Sequence, residues 1–194
     1  MKKLSEYFFK YRSYTPIPFL ILMVIFQKAT LSSLIVGFVI VCFGEFFRLW
    51  GVSYAGSETR TTGGGVGGTY LVVSGAFAHV RNPLYFGNMC IYIGVGVMSM
   101  AWYPYLMLIA AVFFFIQYQF IINEEEKYLS EKFGKQYEEY KIVVPRWLPT
   151  FTKFNNSGTE QPSYDIKKGF ISEKRTLQAI TATTLLLILL YLVT

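Results

Sequence analysis

The sequence predicts an all-α integral membrane protein of about five transmembrane helices. Two observations carry that fold class. Of 194 residues, 53% are hydrophobic and only 15% charged, too apolar for an ordinary soluble domain. The apolar residues also gather into five segments, near residues 15–27, 31–50, 84–101, 103–122 and 176–193.

The first segment is short for a full crossing. The second carries Glu45, costly in lipid unless paired, and Arg48 one helical turn on is the partner its spacing offers. Gly51 to Thr69 is rich in Gly, Ser and Thr, including Gly63-Gly64-Gly65 and Gly67-Gly68. With no strand before it and no P-loop lysine after it, it reads as a flexible connector rather than a phosphate cradle. The third and fourth segments form a hairpin through Trp102-Tyr103-Pro104, and residues 88–123 carry no charged side chain. Mixed charges at i, i+3 and i+4 then predict a helix over Glu124–Tyr140, divided at Gly134 and ended by Val144-Pro145. Arg146-Trp147-Leu148-Pro149 would run back along the membrane surface with Trp147 at headgroup depth. Residues 153–169 read as an exposed linker to the last segment. The implied organisation is an N-terminal transmembrane hairpin (1–50), a loop, hairpin and cytoplasmic helix carrying the candidate site (51–152), and a linker with the C-terminal helix (153–194).

Basic residues set the orientation. Lys2, Lys3, Lys10 and Arg12 precede the first segment, Arg48, Arg60 and Arg81 surround the second loop, and the rest lie between the fourth and fifth segments, leaving only Lys28 opposite. Five crossings with the N-terminus cytoplasmic and the C-terminus on the opposite side fit this asymmetry. No cleavable signal peptide is expected. The net charge of +6 is explained by inner loops facing anionic lipid headgroups and calls for no nucleic acid. Cys42 and Cys90 lie in apolar segments without CxxC spacing, which argues against disulfide and metal roles. His79 reads as a loop residue rather than a catalytic one.

Two polar signatures flank the hairpin and must emerge on one side of the bilayer, here the cytoplasmic side. In the first, Leu71–Gly87 (LVVSGAFAHVRNPLYFG), Asn82-Pro83 is a helix-start pair. The amides of Leu84 and Tyr85 would then present the positive end of a helix dipole to a carboxylate or phosphate. In the second, Glu124–Leu148, Glu124-Glu125-Glu126 lies where the fourth helix leaves the bilayer. Successive residues sit about 100° apart, so only one or two carboxylates can reach the space near Asn82. An amphoteric ligand with ammonium and carboxylate groups would satisfy both signatures.

The block LVVSGAFAHVRNPLYFG, followed by EEE, Phe133-Gly134, Tyr137, Tyr140, Pro145 and Leu148-Pro149, resembles the isoprenylcysteine carboxyl methyltransferase family and its phospholipid-methyltransferase relatives, over roughly residues 69–151. The resemblance implies an integral membrane methyltransferase that uses S-adenosylmethionine, with S-adenosylhomocysteine as product. Carried over by position, its cofactor pocket would comprise Tyr70, Leu71, Val72, Phe77, Asn82, Pro83, Leu84 and Tyr85, with Glu125 as the acidic member facing the ammonium or sulfonium charge. Leu71, Val72 and Phe77 would offer apolar surface to adenine.

The chain departs from that pattern twice. Eukaryotic members carry His at the position of Asn82, and Arg four residues before the glutamate, where this chain has Ile121. That Arg is thought to orient the carboxylate being methylated, and Arg81 or Arg146 would have to substitute as the catalytic cation beside Glu125. The expected acceptor is a lipophilic molecule from the bilayer, first the C-terminal carboxylate of an isoprenylated cysteine. An aminophospholipid or a small apolar thiol is the alternative within the enzyme class. Methyl transfer needs in-line placement and exclusion of water more than acid–base help, so no metal is expected. A small transporter or scaffold is the rival class. A transporter should show broken or polar helices near the midplane, and the third to fifth segments have none.

Overall fold

The computed structural model describes residues 2–55, 71–155 and 161–193. Among the described residues, seven α-helices run α1 Lys2–Tyr11, α2 Pro16–Ile25, α3 Leu31–Ala55, α4 Pro83–Ser99, α5 Tyr105–Phe133, α6 Lys135–Val143 and α7 Ile166–Val193, with a 3₁₀ turn at Gly75–Ala78. Among the described residues there is no strand. Helices α3, α5 and α7 are long and apolar enough to cross a membrane, whereas α2 and α4 are apolar but shorter. At 1.5 Å per residue, the ten residues of α2 span roughly 15 Å, about half a hydrocarbon core.

All five apolar segments are helical, but two boundaries move by five residues or more. Helix α3 runs five residues past 50, to Ala55, and α7 starts at Ile166. Helix α1 was not anticipated. Residues 161–165 are not the free linker the composition predicts. Gln161 accepts hydrogen bonds from Val73 N (2.8 Å) and Ser74 Oγ (3.0 Å) and donates to the Leu71 carbonyl (3.0 Å). Asp165 N donates to the Ser53 carbonyl at 2.8 Å. Polar composition marks such a stretch as loop but says nothing of which backbone it satisfies.

The chain divides into two compact units, the first comprising Met1–Glu45, Gly87–Ile121 and Arg175–Thr194, and the second Phe46–Phe86 and Ile122–Lys174. The first is a helical pack. Glycines let α3 and α4 approach backbone to backbone: a Cβ on Gly94 would meet the Gly37 carbonyl at 2.7 Å, and one on Gly44 would meet the Gly87 carbonyl at 2.5 Å. Phe19 of α2 lies against Phe113 and Phe114 of α5. Tyr118 of α5, almost wholly buried, joins Asn88 and Tyr92 of α4 in one polar cluster. The hairpin turns through Met100 and Trp102, both with positive φ, before α5 begins.

In the second unit, Gly134 (φ +51°) separates α5 from α6 where the sequence places the break, and Val144 turns extended to end α6. One apolar core joins Leu71 and Val73 to Tyr137, Tyr140 and Val144. A second joins Phe47, Ala76 and Val80 with Trp50 and Phe86.

Candidate functional site

Every described residue of the predicted site lies in the second unit. Tyr70 falls outside the described residues, as does most of the Gly-rich loop.

Helix α4 begins at Pro83, as the Asn-Pro pair predicts. The Asn82 amide nitrogen donates to the Arg146 carbonyl (3.2 Å) and, at 3.5 Å, to Glu126. One turn on, the Tyr85 hydroxyl donates to Glu125 Oε1 at 2.9 Å. The three consecutive glutamates therefore divide as helical geometry requires: Glu125 meets Tyr85, and Glu126 faces Asn82 and is buried at 6% exposure.

Glu126 is the hub that sequence reasoning missed. Its Oε1 accepts from Arg81 Nε at 3.0 Å and Arg146 Nε at 3.2 Å, and its Oε2 from Arg146 Nη2 at 2.5 Å. Arg81 Nη1 also donates to the carbonyls of Lys141 (3.1 Å) and Val144 (2.7 Å), capping the C-terminal end of α6. Arg146 Nη1 reaches Asn123 Oδ1 at 2.9 Å. Two arginines thus bracket one buried carboxylate, with net charge +1 among the three. The Arg81 side chain is 12% exposed and that of Arg146 is 33% exposed, so the latter offers the more accessible cationic edge. Nothing in the run EEE distinguishes the structural carboxylate from its neighbours. The signal available was helical phase relative to Arg81, 45 residues away.

The remaining positions sort by burial. Leu71 is buried in the core with Tyr137 and Tyr140, so Val72 and Phe77 are the partly exposed apolar members. Pro83 is buried and Leu84 half-buried. A Cβ on Gly51 would lie 3.1 to 3.6 Å from Leu84, Pro83 and Phe77, so α3 packs closely on the start of α4. The Tyr140 hydroxyl donates to the Phe77 carbonyl at 2.6 Å, fixing the 3₁₀ turn before Arg81. Burial pushes the pKa of both the Tyr137 and Tyr140 hydroxyls up, reinforced at Tyr137 by Glu126 and opposed by Arg81. His79 donates through Nδ1 to the Thr150 carbonyl at 2.8 Å and lies beside Trp50, as befits a loop residue. Arg48 Nη2 also meets Glu173 Oε2 of α7 at 2.5 Å, a partner that i, i+3 spacing within α3 does not reveal.

A helix N-terminus and a carboxylate on the adjacent helix therefore meet, as an amphoteric ligand requires. A family model described as phospholipid methyltransferase matches residues 32–136, more than half of the chain and all of α4 and α5. The chain belongs to the phospholipid methyltransferase family. The family match contains Asn82, Tyr85, Glu125 and Glu126, while Arg146 lies beyond it. Among similar curated proteins, the nickel-cobalt-cadmium resistance protein NccN of Alcaligenes xylosoxydans xylosoxydans is 29% identical over 126 residues, covering 65% of this chain and 54% of that protein. The cobalt-zinc-cadmium resistance protein CzcN of Cupriavidus metallidurans is 27% identical over 114 residues, 58% of this chain and 47% of that protein. The chain thus spans about half the length of these two relatives. An uncharacterized protein of Haemophilus influenzae is 42% identical over 50 residues, 26% of this chain and 71% of that protein. No solved structure matches. Among the described residues, no group of three or more His, Cys, Asp or Glu side chains could hold a metal ion. Membership in this phospholipid methyltransferase family implies S-adenosylmethionine use in general, and the apolar helices make the chain a membrane protein.

Proposed function

We propose that this protein is a membrane methyltransferase with five crossings, its N-terminus and site cytoplasmic and its C-terminus opposite, which transfers a methyl group from S-adenosylmethionine to a lipophilic acceptor drawn from the bilayer. The observation that carries the reading is the pairing of Tyr85 with Glu125 beside the first turn of α4. The residues fit the cofactor's chemistry. Its amino and sulfonium charges suit Glu125, its carboxylate suits the start of α4 at Leu84 and Tyr85, and Val72 and Phe77 offer partly exposed apolar surface. Asn82 and Pro83 set the helix start, and Leu71 supports the pocket from its core. When bound, the sulfonium supplies an electrophilic methyl group, and the chain's task is to align the acceptor and keep water out.

Among acceptors, the amine of an aminophospholipid fits best. Ile121, which replaces the family's carboxylate-orienting Arg, is buried at 1% exposure, and both Arg81 and Arg146 are engaged by Glu126. Arg81 and Arg146 are then positioning residues, not substrate contacts. An amine must give up a proton as it gains a methyl group, and Glu125 is the carboxylate set to accept it. The second reading is a prenylcysteine carboxylate, favoured by the one-third exposure of Arg146.

Calorimetric titration of the detergent-purified protein with S-adenosylmethionine and S-adenosylhomocysteine tests the cofactor. Binding should weaken about tenfold or more in Glu125→Gln, the loss expected for a hydrogen bond to a charged group. No binding to folded protein would overturn the proposal. Methyl transfer to phosphatidylethanolamine against a farnesylcysteine analogue separates the acceptors.

A further inference from the structure

Helix α1 is held against the end of the apolar stretch of α5. Ser5 Oγ donates to the Phe120 carbonyl at 3.0 Å, and the Phe8 ring lies 5.7 Å from that of Phe120. Just beyond α1, Thr15 Oγ1 donates to Gln117 Oε1 at 3.0 Å, and Gln117 Nε2 reaches back to the Phe8 carbonyl. The first charge on α5 is Glu124, four residues after Phe120. These bonds fix α1 at the depth where α5 passes from hydrocarbon to water.

The opposite side of this segment is aromatic and basic. Tyr7, Tyr11 and Tyr14 are 59%, 37% and 66% exposed, and the rings of Tyr7 and Tyr11 lie 4.6 Å apart. Lys10 is exposed, and the Arg12 guanidinium sits 3.7 Å over the Phe9 ring. By sequence the segment carries four cations, Lys2, Lys3, Lys10 and Arg12, against one anion, Glu6. Water offers no reason to expose three tyrosines on so short a segment, and hydrocarbon would not accept four cations. The headgroup layer suits both, since tyrosine favours that depth and Lys and Arg attract acidic lipids.

We propose that α1 is an interfacial helix that binds the anionic phospholipid headgroups of the bilayer in which the protein sits. The full chain, with Cys42 and Cys90 replaced by Ala and Tyr14 by a bimane-labelled Cys, is placed in nanodiscs carrying doxyl-labelled phosphatidylglycerol or phosphatidylcholine. Quenching should be stronger with phosphatidylglycerol and only partial with aqueous iodide. Lys10→Gln should lower the preference by up to about fivefold, the worth of one basic group near the surface, and Glu6→Gln should raise it. Both residues are exposed, so neither variant threatens folding. Equal quenching by the two lipids, or iodide access matching that of a free peptide, would overturn the proposal.

Discussion

Arg146 holds Glu126 in a two-pronged grip, Nη2 to Oε2 at 2.5 Å and Nε to Oε1 at 3.2 Å, and so ties the chain after α6 to α5. Arg81 reaches the same carboxylate from just before α4. Removing Glu126 would leave the mostly buried Arg81 guanidinium without its counter-charge. Glu126→Gln should therefore cost about 3–5 kcal/mol of stability, as breaking one partner of a buried ion pair does. Arg146→Lys keeps the charge but loses the fork, and Arg146 is a third exposed, so its cost should be clearly smaller. Thermal unfolding in detergent, run side by side, checks the order.

Tyr85→Phe removes only the hydroxyl that donates to Glu125. Tyr85 is half-buried, so the fold should tolerate the change. The carboxylate would lose an orienting donor worth about 1.5–3 kcal/mol, as a hydrogen bond to a charged acceptor is. Cofactor affinity or turnover should fall roughly tenfold or more with the melting temperature little changed. If activity and stability fall together, the bond is structural only.

The helices were legible because apolar runs and the Asn-Pro, Phe-Gly and Val-Pro boundaries act locally: α4 starts at Pro83, α5 breaks at Gly134 and α6 ends at Val143. What was not legible depends on distant partners. Choosing Glu126 over Glu125 as the buried hub needs the position of Arg81, and pairing Arg48 with Glu173 needs α7 folded back on α3. Gln161 is one polar residue in a polar stretch, and only the buried loop backbone of Leu71 and Val73, which it satisfies, gives it a role. The overlooked α1 is short and charged, and its helicity rests on contacts with Phe120.

Alkaline pH should unfold the second unit through its buried tyrosines. Tyr137 and Tyr140 are 1% and 2% exposed, and burial holds both hydroxyls above their ordinary range. The unfolded chain releases these protons near pH 10 while the folded state keeps them, so above about pH 10 the folded state binds more protons and stability falls as pH rises. Below that pH their contribution is fully present. Tyr137→Phe should flatten the decline. Tyr140→Phe should do so as well but start lower by about 1 kcal/mol, having lost its bond to the Phe77 carbonyl. Melting temperature followed from about pH 8 to pH 12 in the three proteins checks this.

Two glycines should respond oppositely to substitution. At Gly94 a Cβ would meet backbone, the Gly37 carbonyl at 2.7 Å and Val41 N at 2.9 Å, and neither can move without parting α3 from α4. Gly94→Val should therefore leave little folded protein. Gly134 has nothing within 4 Å of the place a Cβ would occupy, and its demand is on the backbone, φ +51° with ψ −126°, a combination that glycine adopts far more readily than any L residue. Gly134→Ala should cost about 1–3 kcal/mol, the penalty for a sparsely populated backbone region, and yield a protein that still purifies. Size-exclusion profiles from detergent give the readout. A monodisperse Gly94→Val protein would mean that α3 and α4 do not pack backbone to backbone at this point.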